Sequence, residues 1–280
     1  MAHPIKLLFE KLRRLVRQRY YYLFRYGYFI PPRQPLANFP DGMSVSRVAN
    51  TGITVIDNFC TAKEADYFIK TAGINVKTST VVDSERELVQ TPGRTSKDAF
   101  IQVDTEDEFF QDLVFRAASL FGLPVTHCDK VSITHYAEGE FYKAHLDYDD
   151  SFFADRMYTC LIYLNDLEKV QGGATWFTQL DLLVHPKLGR AVCWVNTDPD
   201  GARHPETHHA ALPPVGADTE KWVVQLWFRG YPASLKTPKP IARPGIVGKR
   251  LTQADVLPDG VCLSADLNYD NAYTVPGRNS

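Results

Sequence analysis

No apolar run in this chain approaches the ~18–20 residues with which a helix crosses a bilayer. There is no Cys-x-x-Cys pair either. The five cysteines (Cys60, Cys128, Cys160, Cys193, Cys262) are odd in number, scattered, and unlike a disulfide framework. Internal repeats and low-complexity tracts are lacking. So is an excess of either charge: 31 lysines and arginines against 33 aspartates and glutamates leave −2 over 280 residues. Nucleic-acid-binding proteins carry a clear basic surplus, so the balance argues against that class of partner. The scattered thiols fit a reducing compartment, and a cytoplasmic location is expected. What is present is ordinary for a globular chain: 44 % hydrophobic and 23 % charged residues exclude wholesale disorder. The length suits one large domain with extensions.

The near-neutral total hides an asymmetry. Residues 1–34 hold eight basic groups and one acid (Glu10), a balance of +7 that leaves −9 for the rest. Leu7, Leu8, Leu12, Leu15 and Val16 lie among these charges at roughly helical spacing, and Pro31-Pro32 ends the pattern. Arg13, Arg14, Arg17 and Arg19 interrupt any secretory-signal stretch. A basic N-terminal helical extension over 1–44 is expected, packed on its own domain, on a second subunit in a homodimer, or on an anionic membrane surface.

From Val45 the texture changes. Residues 52–59 read as a β-branched strand. Thr61 and Glu64 have capping-box spacing, which predicts a helix to about Thr71. Asp107 to Phe121 is a second amphipathic helix, closed by Gly122 and Pro124. Strand-like runs follow at 130–136, 157–165, 173–177, 190–196 and 222–229. Helices first and many strands after predict an α+β, mainly β protein. The last 48 residues, from Ala233, read as an extended tail that wraps the core or meets a partner.

The most chemical segment contains His145-Leu-Asp147. On a strand, side chains two apart share a face, so an imidazole and a carboxylate there can reach one metal ion. His209, 62 residues after Asp147, is available as a third ligand. Two histidines and one carboxylate on one face of an octahedral ion leave three positions open, the arrangement of non-haem Fe(II) oxygenases. Lys221, 12 residues beyond His209, would be costly inside a barrel unless an anion met it. A dicarboxylate cosubstrate, chelating iron with one end, would supply that anion. A lone H-x-D is a weak signal, and Lys221 alone would read as a turn lysine; their combination is what counts.

The ordered stretches Arg94-Thr95-Ser96, Tyr136…Gly139…Tyr142…His145-Leu-Asp147, Asp155-Arg156…Thr159…Leu161-Ile-Tyr163 and Gly172-Gly173-Ala174-Thr175…Phe177 go further. With Trp194-Val-Asn196, His209-Ala210-Ala211-Leu212-Pro213 and Lys221-Trp222…Trp227, they resemble the prolyl-4-hydroxylase branch of the Fe(II)/2-oxoglutarate dioxygenases over about residues 45–230. The resemblance implies a double-stranded β-helix, a jelly-roll or cupin-like barrel with flanking helices, over 45–232, with a tail at 233–280. It implies His145, Asp147 and His209 as catalytic iron ligands, His209 being preferred to His208 because Ala follows it. Lys221 would pair with the far carboxylate of 2-oxoglutarate, and Tyr136, Tyr142 and Thr159 would line that pocket. Arg156 and Trp194 are the implied substrate-side residues, with a surface salt bridge to Asp150 or Asp155 the alternative for Arg156 and a barrel-wall core position the alternative for Trp194. Gly172-Gly173 would serve a turn needing positive φ.

The implied activity is oxidative decarboxylation of 2-oxoglutarate with O2, giving succinate and CO2, coupled to hydroxylation of an unactivated C–H bond. Ascorbate would be the reductant. The retained carboxylate of Asp147 disfavours halogenation, whereas desaturation or cyclisation could follow the same hydrogen abstraction. Candidate substrates are an amino acid, an amino-acid-derived natural product or a prolyl peptide. The loops at 78–97, 148–155 and 198–205 would border the entrance. A jelly-roll binding protein with a vestigial metal site and a zinc hydrolase are the competing classes. Cys160 and Cys193 fall on predicted strands and are expected to be buried hydrophobes.

Overall fold

The computed structural model describes residues 36, 39–48, 51–73, 75–82, 87–102, 106–148, 156–197, 204–234 and 260–263. The basic segment 1–34, most of the loops at 148–155 and 198–205, and most of the tail lie outside the described residues.

Both expected helices form, and for the expected reasons. In α1 (Ala62–Gly73) the Thr61 hydroxyl accepts from the Glu64 N–H at 3.2 Å and Glu64 Oε2 accepts from the Thr61 N–H at 2.7 Å. Those two bonds complete a capping box. In α2 (Glu108–Phe121) the Asp107 carboxylate caps the N–H groups of Phe109 and Phe110, and Gly122 closes the helix in the left-handed conformation at φ 62°.

The strands are β1 (Ser44–Arg47), β2 (Ile53–Asp57), β3 (Lys77–Thr78), β4 (Val81–Val82), β5 (Leu88–Val89), β6 (Lys97–Ile101), β7 (Cys128–Tyr136) and β8 (Tyr142–His145). They continue with β9 (Arg156–Tyr163), β10 (Thr175–Phe177), β11 (Leu182–Val184), β12 (Ala191–Val195), β13 (His209–Ala211), β14 (Lys221–Arg229) and β15 (Val261–Leu263). Eight form one antiparallel sheet in the order β1-β2-β12-β9-β14-β7-β6-β3, five a second in the order β15-β11-β10-β13-β8, and β4 pairs with β5. The two larger sheets close on a shared core of Val55, Leu161, Trp194 and Val223 from one and Phe177, Leu182 and Val184 from the other. This is the jelly-roll arrangement, mainly β with two flanking helices.

Helices α1 and α2 cover the outer face of the large sheet. Phe68, Phe110, Leu113 and Phe121 pack there with Ile133, Cys160, Ile162, Val224 and Leu226. Phe121 stacks on Tyr158 with ring centroids 4.5 Å apart. Cys160 and Cys193 are both fully buried and directly opposite across β9 and β12. Within the tail, β15 pairs with β11 at the edge of the small sheet.

One backbone approach fixes the entry to α1. Gly189 has φ +74°, and a Cβ there would lie 2.1 Å from the Cys60 carbonyl oxygen. Its own carbonyl accepts from the N–H groups of Phe59 and Cys60 at 2.8 and 3.2 Å. Gly42 shares the positive φ, at +84°, but faces open space. Gly42→Ala should cost about 1 kcal/mol, the left-handed penalty alone, and lower Tm by roughly 2–4 °C. Gly189→Ala should cost several times more, because backbone must move. Paired thermal melts check this, and equal losses would refute it.

Candidate metal centre

β8 and β13 are neighbours in the small sheet, and His145 stands opposite His209 across them. Opposite residues share a face, and the two rings have centroids 4.4 Å apart. Asp147 lies beyond the end of β8, in a bend, and not on a continuing strand. The bend still delivers its carboxylate: Asp147 Oδ1 is 3.6 Å from His145 Nε2 and 4.0 Å from His209 Nε2. One ligand atom from each of the three lies within 4.8 Å of the others.

Each imidazole has its tautomer set by its own chain. His145 Nδ1 meets the Lys143 carbonyl at 2.8 Å, and His209 Nδ1 meets the Thr207 carbonyl at 2.8 Å. A carbonyl only accepts, so each Nδ1 carries the proton and each Nε2 keeps its lone pair. His209 Nε2 is buried without a partner among the described residues, as an atom reserved for a metal would be. Burial, with His145 alongside, pushes His209 down to about 4. It is then neutral at pH 7, the form that binds metal. Burial tends to raise the pKa of Asp147, but His209, His145 and Arg156 outweigh it and hold the carboxyl below the usual range. Two imidazoles and one carboxylate on one face fit Fe(II).

Around this cluster stand residues from both sheets. Tyr142, the first residue of β8, stacks on His145 at 3.8 Å between centroids. Trp194, fully buried on β12, meets His209 edge-on at 4.7 Å. The resemblance placed Trp194 on the substrate side and Thr159 in the cosubstrate pocket. In the structure Trp194 is a core residue bracing His209, because its indole is enclosed between the sheets with Phe177. Thr159 lies behind Asp147, and its hydroxyl donates to Asp147 Oδ2 at 2.7 Å.

A narrow recess runs inward from His145 and His209, lined by Tyr136, Tyr142, Thr175, Gln225 and Lys221. Lys221 opens β14 and is 1 % exposed. Its Nζ donates to the carbonyls of Gly173 and Leu212 at 3.0 and 3.1 Å and lies 4.1 Å from the Tyr136 ring centroid. No carboxylate among the described residues pairs with it, and burial pushes it down to about 7. Gly173, at φ +71°, leaves room beside it: a Cβ there would lie 2.6 Å from Leu167 Cδ1 and 3.4 Å from Lys221 Cδ.

A second recess of about 290 Å³ opens outward, sharing Tyr142, His145 and Gln225 with the first. Leu88 and Phe100 line it and are 70 % and 51 % exposed. Arg156 also lines it, buried, with its guanidinium 4.3 Å from the Trp227 ring centroid and bonded to Asp129 at 2.9 and 3.2 Å. Among the described residues its salt bridge is with Asp129, a partner 27 positions away that sequence proximity did not indicate; Asp150 and Asp155 lie outside the described residues. Sequence reasoning also missed Gln225. Its signal was a polar residue in the middle of the apolar run 222–228.

Comparison with known proteins agrees with this geometry. The 2OG-Fe(II) oxygenase superfamily matches over residues 131–229. Probable prolyl 4-hydroxylase 3 of Arabidopsis thaliana is 29 % identical over 199 residues, which is 62 % of this chain and 68 % of that protein. Prolyl 4-hydroxylase subunit alpha-1 of Rattus norvegicus is 32 % identical over 160 residues, 54 % of this chain but only 29 % of that subunit. The crystal structure of viral collagen prolyl hydroxylase from Paramecium Bursaria Chlorella virus-1, in its 2OG complex, shares the fold. It aligns with TM-score 0.51 and 24 % identity over 66 % of this chain and 99 % of that one. No helix among the described residues is long and apolar enough to cross a membrane.

A divalent ion that binds only the folded chain must stabilise it by mass action. Fe(II) under anaerobic conditions, or Mn(II) in air, at about 100 times its Kd should add roughly 2.7 kcal/mol. The same ion should leave the Tm of Asp147→Ala unchanged. Calorimetric melts with and without metal check it, and an equal shift in the variant would remove Asp147 from the centre.

Proposed function

We propose that this chain, a prolyl-4-hydroxylase-like 2OG-Fe(II) oxygenase, hydroxylates a prolyl residue of an extended peptide. One observation carries the reading: a buried lysine with no counter-ion among the described residues, Lys221, stands at the far end of the recess that begins at His145, Asp147 and His209. A dicarboxylate bound between a metal and an ammonium satisfies both ends at once. Iron held by the three residues would supply oxidative decarboxylation of 2-oxoglutarate, with release of succinate and CO2, coupled to C–H hydroxylation.

The chain's own part is to hold and to exclude. His145, Asp147 and His209 would occupy one face of the metal. Tyr136, Tyr142 and Lys221 would confine the cosubstrate. Arg156 and Trp227 would present a flat, cationic-backed wall to the substrate. The choice of a peptide over a free amino acid rests on the outer recess, whose apolar walls Leu88 and Phe100 are open to solvent while two of its cations, Arg94 and Arg156, are already paired with Asp98 and Asp129. The catalytic unit is taken as residues 45–232, with 1–44 and 233–280 as extensions.

Incubation with Fe(II), ascorbate, 2-oxoglutarate and proline-containing peptides should yield succinate and peptide heavier by one oxygen. Asp147→Ala should reduce both to background. If only free amino acids are hydroxylated, the peptide reading fails; if nothing is turned over, so does the assignment of activity.

Lys221 also sets a pH dependence. Its folded pKa is about 7, well below the ordinary lysine value, so above pH 7 the ligand-free chain carries it neutral. Binding a carboxylate there must take up a proton. The affinity for 2-oxoglutarate should therefore fall as pH rises above about 7, by up to tenfold per unit. Calorimetry in buffers of different ionisation enthalpy would detect the proton. Lys221→Met should weaken binding by ~30-fold or more and flatten the pH profile. An unchanged profile in that variant would refute the role.

A further inference from the structure

We infer that Asn196 and Thr159 form a two-step hydrogen-bond relay that fixes the second oxygen of Asp147 and thereby sets the affinity of the centre for iron. The inference rests on the reading of Asp147 as an iron ligand.

All three groups are out of water: Thr159 is 0 %, Asn196 1 % and Asp147 5 % exposed. Asn196 Nδ2 lies 2.8 Å from Thr159 Oγ1, and Thr159 Oγ1 lies 2.7 Å from Asp147 Oδ2. The proton positions follow from what each group can do. An ionised carboxylate only accepts, so the hydroxyl must give its one proton to Asp147. The hydroxyl oxygen is then an acceptor, so Asn196 must present its amide nitrogen and not its oxygen. With that amide in place the hydroxyl has no competing acceptor within the pair, and its proton is directed at Oδ2. Oδ1, the oxygen that faces both imidazoles, is left for the metal.

The relay is anchored at its far end. The Asn196 N–H donates to the Met157 carbonyl and the Asn196 carbonyl accepts from the His204 N–H, both at 2.9 Å. Trp194, two residues before Asn196, stands opposite Thr159 across β12 and β9. The residue that orients Thr159 thus lies one position past the end of the strand paired with it. Carboxylate ligands whose free oxygen is hydrogen-bonded hold a metal in one geometry, and loss of such support typically costs 10–100-fold in affinity. Asn196 and Thr159 are positioning residues: neither would touch the metal.

The test is Fe(II) affinity of the full chain, measured anaerobically by competition with a coloured chelator, beside the melting temperature of the metal-free protein. Thr159→Val keeps the side-chain shape and removes the hydroxyl, and should weaken Fe(II) binding by ~10–100-fold. Thr159→Ser should restore most of it. Asn196→Leu leaves the hydroxyl present but free to turn, so its loss should be smaller. In the double variant Thr159→Val/Asn196→Leu the loss should equal that of Thr159→Val alone, because the steps act in series. A purely structural role would lower the metal-free Tm and leave Fe(II) affinity untouched, and that result overturns the relay. So does an additive double variant. Should Thr159→Val fail to fold, Asn196→Leu decides alone: unchanged Fe(II) affinity overturns the relay. If wild type binds Fe(II) no better than Asp147→Ala, the ligand reading itself falls and takes the relay with it.

Discussion

An ammonium group shut into an apolar lumen with no carboxylate to meet it is among the least favourable arrangements a fold can contain. Lys221 is held so by two carbonyls and a tyrosine ring. Those contacts satisfy two of its three donors and offset little of the lost hydration. The sandwich around it must therefore be stable enough to impose the position, and the helices show where that stability comes from. Phe68, Phe110, Leu113 and Phe121 pack against one side of the large sheet. The side facing the lumen is thereby released to carry polar groups.

β14 makes the division visible in a single strand. Trp222, Val224, Leu226 and Phe228 face the helices. Lys221, Val223, Gln225 and Trp227 face the recesses. Period-2 alternation normally separates core from water. Here both faces are buried, and the alternation separates packing from chemistry. The cost of the polar face falls on one strand at the centre of the sheet, where β7 and β9 pair with it on either side.

The sequence made the parts legible whose signals are local. Thr61–Glu64 and Asp107 mark the helix starts by cap chemistry, and the long strands β7, β9 and β14 are β-branched and aromatic runs. The cluster of His145, Asp147 and His209 was legible through residue types in order. What the sequence could not carry is what depends on pairing across the fold. β11 and β13 are three residues each, too short for any period to register. Thr159 and Asn196 are 37 positions apart, and only the pairing of β9 with β12 turns them into a relay behind Asp147. Arg156 found Asp129 for the same reason, since β7 and β9 both flank β14.

Register decides which histidine can serve. His208 and His209 are adjacent, so their side chains leave β13 on opposite sides. With Phe177 opposite His209 and Trp176 opposite Ala210, His209 enters the lumen and His208 turns away to bond the Thr178 hydroxyl at 2.6 Å. A slip of one residue would exchange them. It would also turn Phe177's partner out of the core and leave Trp194 without the ring it braces. The packing that fixes the register is thus the same packing that orients His209. The small sheet brings the two imidazoles and the large sheet brings Lys221, Thr159 and Trp194, so the centre exists only where the two sheets close in this one register.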